Sequence, residues 1–210
     1  MRQVAGQVMR QVAAQVAALG LGLGLALAPA HAQAPAPGSA TPPATREAAP
    51  NAAAPNSDQR IEQISARPAL VLEGETAWED GYSTLTGAFQ RLKAELARAQ
   101  VKGAGAPVAV FVATDDVGFK FQAMAPLAEA PAVEPQLGAG FKLGRTPTGR
   151  AVKFEHRGSY EEIDATYEAI TAWLDEKNLD AQDFFVEEFV NAGRGPDDSE
   201  AAVDVYVFVK

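Results

Sequence analysis

Cysteine is absent from all 210 residues. Its absence excludes disulfides, thiolate nucleophiles, cysteine-ligated metals and a lipid-modified cysteine after a leader. Histidine is scarce, with two in the chain, His31 and His156. One of them falls in the segment read below as a leader, so no transition-metal site is expected. Basic residues are outnumbered, 18 Lys and Arg against 27 Asp and Glu, for a net charge of −9. Nucleic-acid binding rests on neutralising phosphates, and an acidic chain without a basic patch is a poor candidate for it. A long apolar run is missing as well. The stretch from Ala17 to Ala28 is about a dozen residues, against the ~20 a membrane-spanning helix needs.

That short run has its own meaning. Arg2 and Arg10 precede it, no acidic residue occurs before Glu47, Pro29 ends it, and Ala30-His31-Ala32 follows with a small-x-small pattern. This order reads as a cleavable export signal over residues 1–32, cut after Ala32, with no membrane anchor left behind. An exported, periplasmic protein is the expectation. Loss of Arg2 and Arg10 would take the charge from −9 to −11.

Residues 33–58 are Ala- and Pro-rich, including Pro35, Pro37, Pro42, Pro43, Pro50 and Pro55, with almost no large apolar side chain. Such a segment cannot bury enough surface to offset chain entropy, so a disordered spacer is expected. Residues 59–210 are then one domain of ordinary size.

Two helices are marked by apolar spacing. Tyr82, Leu85, Phe89, Leu92 and Leu96 form one stripe, with Asp80 placed to cap and Lys102-Gly103 to close. Ile163, Tyr167, Ile170 and Leu174 form the other, with Ser159 and Glu162 as a capping box and Lys177-Asn178 at the end. Strands are expected over 66–75, 108–113, 119–125, 149–156, 184–190 and 203–209. The order is strand-helix-strand-strand, twice, with an irregular connection over 127–148. Residues 69–73 and 151–155 also resemble each other, consistent with an internal duplication. The fold class expected is α+β. Its duplicated halves form an antiparallel sheet with two helices on one face and a ligand cleft between the halves, placed on the face away from the helices.

The segment Phe154-Glu155-His156-Arg157-Gly158-Ser159-Tyr160-Glu161-Glu162-Ile163, then Tyr167, Ile170 and Trp173-Leu174, resembles the GyrI-like effector-binding domains. These also serve as ligand-sensing domains of AraC-type and multidrug-responsive regulators. Glu187-Glu188-Phe189 and the final strand resemble the later part of the family pattern, although Phe189 replaces the usual Tyr and the usual Asp-Pro is absent. The resemblance implies a small-molecule ligand, no cofactor, and Glu187 as the cleft carboxylate that meets cationic ligands.

Independently, Glu187 shares a strand face with Phe185 and Phe189, and a carboxylate among aromatics is costly to desolvate without a compensating cation or hydrogen bond. Glu188 points the other way and receives no role. The ligand-site candidates are Glu187, Phe189, Trp78, Tyr160, Tyr206 and Phe121. Trp78 and Tyr160 occupy corresponding turns before the two helices. Tyr206 lies on the strand expected beside that of Glu187. Other aromatics that could line the cleft are Phe111, Phe119 and Phe154. Resemblance to ring-opening hydrolases allows a second reading, with Glu187 as base and Tyr160 or Tyr206 as hydroxyl donor. His156 is expected to hold a strand end by hydrogen bonds. Turn chemistry accounts for Asp115-Asp116 and Asp197-Asp198, and Gly138-Ala139-Gly140 lacks the strand-to-helix setting of a phosphate loop.

Overall fold

A computed structural model describes residues 59–210. The expected leader (1–32) and spacer (33–58) lie outside the described residues. Eight strands and two helices follow one another in the order β1 (Ile61–Ile64), β2 (Pro68–Ala77), α1 (Gly81–Arg98), β3 (Val108–Thr114), β4 (Gly118–Pro126), β5 (Phe141–Arg145), β6 (Gly149–Arg157), α2 (Ile163–Lys177), β7 (Ala181–Asn191) and β8 (Ala202–Val209). A single turn of 3-10 helix precedes each long helix, at Trp78–Asp80 and Tyr160–Glu162. Among the described residues no helix is long and apolar enough to cross a membrane.

All strand pairs are antiparallel, in the order β1-β6-β8-β7-β3-β4-β2-β5. The strands that flank α1 in sequence (β2, β3, β4) and those that flank α2 (β6, β7, β8) form adjoining blocks. They meet where β3 pairs with β7, Ala109 opposite Glu187. This is the expected α+β architecture, with two strands more than the sequence pattern suggested. β1 has one apolar residue at each end of four, and β5 lies in the stretch read as irregular, where proline and glycine flank a short alternating run.

The connections impose curvature. β1 and β2 are six strand positions apart, about 29 Å on a flat sheet, yet three residues join them. Four Cα steps reach at most ~14 Å. The same holds for β5 and β6, joined by residues 146–148. The sheet must therefore curl away from the helices until its ends approach. The two connectors cross the concave side together, the Arg67 and Thr146 backbones bonded by Thr146 N–H to Arg67 O at 2.9 Å and Arg67 N–H to Thr146 Oγ1 at 2.9 Å. Curvature explains why Val71, Val108, Val110, Met124, Ala151 and Phe208, all on the helix-free face, are buried as a second small core.

On the other face, Leu85, Phe89 and Leu92 of α1 and Tyr167, Ile170 and Leu174 of α2 pack onto the sheet as the main core. α1 ends at Arg98, four residues before the expected Lys102-Gly103. Gln100 takes a left-handed φ of 54° and Val101 N–H reaches back to Leu96 O at 2.9 Å. Such a left-handed closure satisfies the last carbonyls. Asp80 makes no side-chain cap; Ser159 accepts from Glu161 N–H at 3.3 Å, and α2 ends at Asn178 as expected.

One glycine is required by close approach. A Cβ on Gly118 would stand 2.0 Å from the Thr76 carbonyl oxygen on the paired strand. Gly118→Ala is expected to cost about 2 kcal/mol through forced separation of β2 and β4, read as a lowered midpoint in urea unfolding with an unchanged slope.

Candidate functional site

The helix-facing side of the central β3–β7 pair carries Ala109 and Phe111 on one strand and Phe185, Glu187 and Phe189 on the other, as alternation dictates. The expectation of a cleft on the face away from the helices is therefore corrected for Glu187. Its carboxylate lies beneath the helix layer, because Phe185 and Phe189 must join the core that the helices cover.

Glu187 is fully buried. Tyr160 Oη donates to Oε2 at 2.8 Å and Tyr167 Oη donates to Oε1 at 2.6 Å. Tyr160 stands in the 3-10 turn just before α2 and Tyr167 in the second turn of α2, and both hydroxyls reach the Glu187 side chain of β7. Phe189 lies 5.5 Å from the Tyr160 ring and 5.0 Å, edge-on, from Phe89. Phe185 stacks on Phe111 at 4.8 Å and meets Tyr167 edge-on at 5.4 Å. At the outer side Tyr82 of α1 contacts Tyr160 at 5.4 Å, and its hydroxyl donates to Ala192 O at 2.6 Å. The carboxylate thus sits in an aromatic box between the two helices, sealed where Tyr82 and Tyr160 meet.

Burial pushes the Glu187 carboxyl up to about 7, the two phenol donors holding it below where burial alone would carry it. Among the described residues no cationic side chain contributes. The Tyr160 and Tyr167 phenols are pushed well above their ordinary value, by burial first and then by the Glu187 charge. Acidic side chains lie nearby, while one cation, Lys93, lines the adjoining cavity. Burial and then Asp198 and Asp197 raise the Tyr82 phenol, while burial and then Glu168 raise the Asp164 carboxyl in the first turn of α2. A cation would gain from this field, and an anion would be repelled.

Beside the box, a cavity of about 350 Å³ opens between α1 and the approach to β3, its walls including Phe89, Leu96, Pro107, Ala125, Pro126 and Ala192. Phe89 belongs to both, so the Phe89–Phe189 pair separates this cavity from the carboxylate.

The remaining candidates fall elsewhere. Tyr206 is opposite Val186, not Glu187, and its hydroxyl donates to Glu188 Oε2 at 3.1 Å on the concave face. The last strand does neighbour the Glu187 strand, as expected, but this register turns Tyr206 to the face opposite Glu187. Phe121 is core beneath α1; a Cβ on Gly74 would meet its Cζ at 2.5 Å, so the far end of the ring occupies the space a side chain there would need. Trp78 does occupy the turn corresponding to that of Tyr160, but it packs on Phe119 at 4.9 Å and donates from Nε1 to Asp115 O at 2.9 Å, staking the β3–β4 hairpin. Phe154 meets Trp173 edge-on in the core. His156 is buried with both ring nitrogens hydrogen-bonded: Nε2–H donates to Ser159 O at 3.0 Å and Nδ1 accepts from the Thr166 hydroxyl at 2.9 Å. Burial lowers its imidazolium pKa, which fits that neutral tautomer.

Tyr167 and Tyr82 were read from the sequence as helix-stripe residues, and the structure adds them to the site. A tyrosine in an apolar stripe needs a partner for its hydroxyl once buried, and that requirement was the available signal.

The family model of the GyrI-like small molecule binding domain matches residues 58–210. The chain belongs to the GyrI-like family. It is a GyrI-like small-molecule-binding domain, and its α+β fold is that of the family. Among solved structures, the C-terminal domain of EcmrR is similar at a TM-score of 0.60 and 11% identity, over 72% of this chain and 96% of that one. EcmrR in a complex with DNA gives 0.59 and 12%, over 72% of this chain but 57% of the longer EcmrR chain. A hydrolase from Listeria innocua gives 0.52 and 14%, over 75% and 94%. Comparison with curated proteins finds none that matches.

Proposed function

We propose that this GyrI-like domain captures an organic cation with an apolar body, and that Glu187 is its counter-charge. The observation that carries the reading is a fully buried carboxylate held by two phenols, with no cationic partner among the described residues. A carboxylate so placed lacks its Coulombic complement, and a delocalised cation, itself poorly hydrated, supplies it at small desolvation cost. Phe185, Phe189, Tyr160 and Tyr167 would face that cation with ring π-density. The 350 Å³ cavity beside Phe89 is within the usual range for small-molecule sites and would hold the apolar body. Entry requires the Phe89–Phe189 or Tyr82–Tyr160 contacts to part, so binding draws on an open form of the box.

Phenyltrimethylammonium and tert-butylbenzene have the same shape and differ in charge. The cation is expected to bind at least ~30-fold more tightly at pH 8, a difference that Glu187→Gln removes while leaving the neutral compound unaffected. Equal binding of the cation by the parent and the Gln variant would reject the site.

A second reading rests on the same geometry. A carboxyl near 7 with a phenol at 2.8 Å is a suitable general acid-base pair. Here Tyr160 and Tyr167 are the donors, since Tyr206 is on the opposite face. Turnover of an activated ester or strained ring, lost in Glu187→Gln, would favour it; no turnover across such substrates leaves capture.

We further propose that the domain works outside the cytoplasm, on the reading of residues 1–32 as a cleaved leader and 33–58 as a spacer. A periplasmic protein whose first residue is Gln33 is the expected product, and a cytoplasmic chain retaining Met1 would contradict it.

A further inference from the structure

The concave face holds a second cavity, of about 180 Å³, that plays no part in the Glu187 site. Its floor is the middle of the sheet, Val108, Val186, Tyr206 and Phe208, and its roof is the pair of crossing connectors with Ile64, Arg67, Thr146 and Pro147. It exists because the sheet ends are tied by connectors that are too short for a flat sheet and too thin to fill the hollow they span. A hollow of ~150 Å³ between apolar walls is enough to admit a single benzene ring.

One side of this hollow is polar. Glu188 accepts from Arg67 Nη2 at 3.1 Å on Oε1 and from Tyr206 Oη at 3.1 Å on Oε2. A carboxylate has about four acceptor positions, so both oxygens retain capacity to accept a further hydrogen bond. Arg67 is 44% exposed and stands at the rim, whereas the Glu188 side chain is 16% exposed and stands within. The two charges already balance, so a charged ligand would have to break the pair.

From these features the geometry points to a second ligand site on the concave face, for a small, flat, neutral aromatic compound carrying one N–H or O–H donor. The ring lies between the sheet floor and the connector roof, and the donor meets the Glu188 carboxylate. The site is independent of the cation-capture reading. Glu187 and Glu188 are adjacent on β7 but face opposite sides of the sheet, one toward α2 and one toward Arg67.

Indole and benzofuran provide the test, being alike in shape while only indole has a donor. Titration of each into 15N-labelled protein, followed by amide shifts, reports both place and affinity. Indole is expected to shift Val108, Val186 and Thr146 saturably, and benzofuran to bind about tenfold more weakly. Glu188→Gln should bring indole to within about threefold of benzofuran, since the hydrogen bond loses its charge. Glu187→Gln should leave indole binding unchanged. Val108→Phe, which fills the floor, should abolish shifts for both compounds; if that variant does not fold, the Glu188→Gln comparison decides alone. Equal affinities for indole and benzofuran, an inert Glu188→Gln, shifts confined to the starts of α1 and α2, or no saturable shift would each overturn the site. Failure here would leave Glu187 untouched, because the cation experiment reads the other face.

Discussion

At pH 8 the Glu187→Gln protein is expected to be more stable than the parent by about 3 kcal/mol, and at pH 4 to be nearly equal to it. Burial raises the Glu187 carboxyl from 4.5 to about 7. Between those values the folded protein holds a proton that the unfolded chain has released. Stability from this group is therefore fully present below pH 4.5, falls as pH rises through the window, and is lost above 7. A shift of this size is worth about 3 kcal/mol at ~1.36 kcal/mol per unit. Glutamine keeps the acceptor oxygen for the phenols but carries no charge to desolvate. Other groups titrate nearby and are shared by both proteins. Asp164, raised by burial and Glu168, acts in the same sense as Glu187; His156, lowered by burial, acts oppositely below 6.5. Glu95 and Asp198, each lowered to about 2 by its arginine, matter below the window. Chemical denaturation from pH 4 to 8 in both proteins isolates Glu187 as the difference between the two curves. Parallel curves would mean that the carboxylate is solvated in the folded protein.

Cation affinity should run in the opposite direction to stability. On the capture reading the ligand requires ionised Glu187, and below about 7 most of the folded protein holds it protonated. Each unit of pH below that value costs close to tenfold in apparent affinity. Phenyltrimethylammonium should therefore bind about 100-fold more weakly at pH 5 than at pH 8, whereas tert-butylbenzene should show little dependence. On that reading the same buried charge weakens the fold and makes the site, a trade common at binding sites. In Glu187→Gln the pH dependence of cation binding should vanish with the affinity itself.

The pattern of the chain carried much of this. Period-two alternation placed Phe185, Glu187 and Phe189 on one face, and period-3.6 stripes placed both helices, because both are local properties of the backbone. What depends on contacts between distant segments was less accessible. Tyr206 could be assigned to the strand beside β7, but the face it shares depends on register; opposite Val186 it belongs with Glu188. Trp78 and Tyr160 occupy corresponding turns, yet Tyr160 reaches a carboxylate while Trp78 finds Phe119 and a hairpin carbonyl. Phe121 was an aromatic on a strand like any other until Gly74 on the neighbouring strand made a seat for it. The concave hollow follows from strand order, which short connectors reveal only after β1 and β5 are known to be strands.

The most direct measurement of the central claim is the number of protons released when phenyltrimethylammonium binds at pH 6, read by calorimetry in buffers of different ionisation heat. Capture by Glu187 predicts release of close to one proton by the parent, falling toward none at pH 8, and none at either pH in Glu187→Gln. Binding of the cation at pH 6 with no proton released, or with the same release in the Gln variant, would contradict the account.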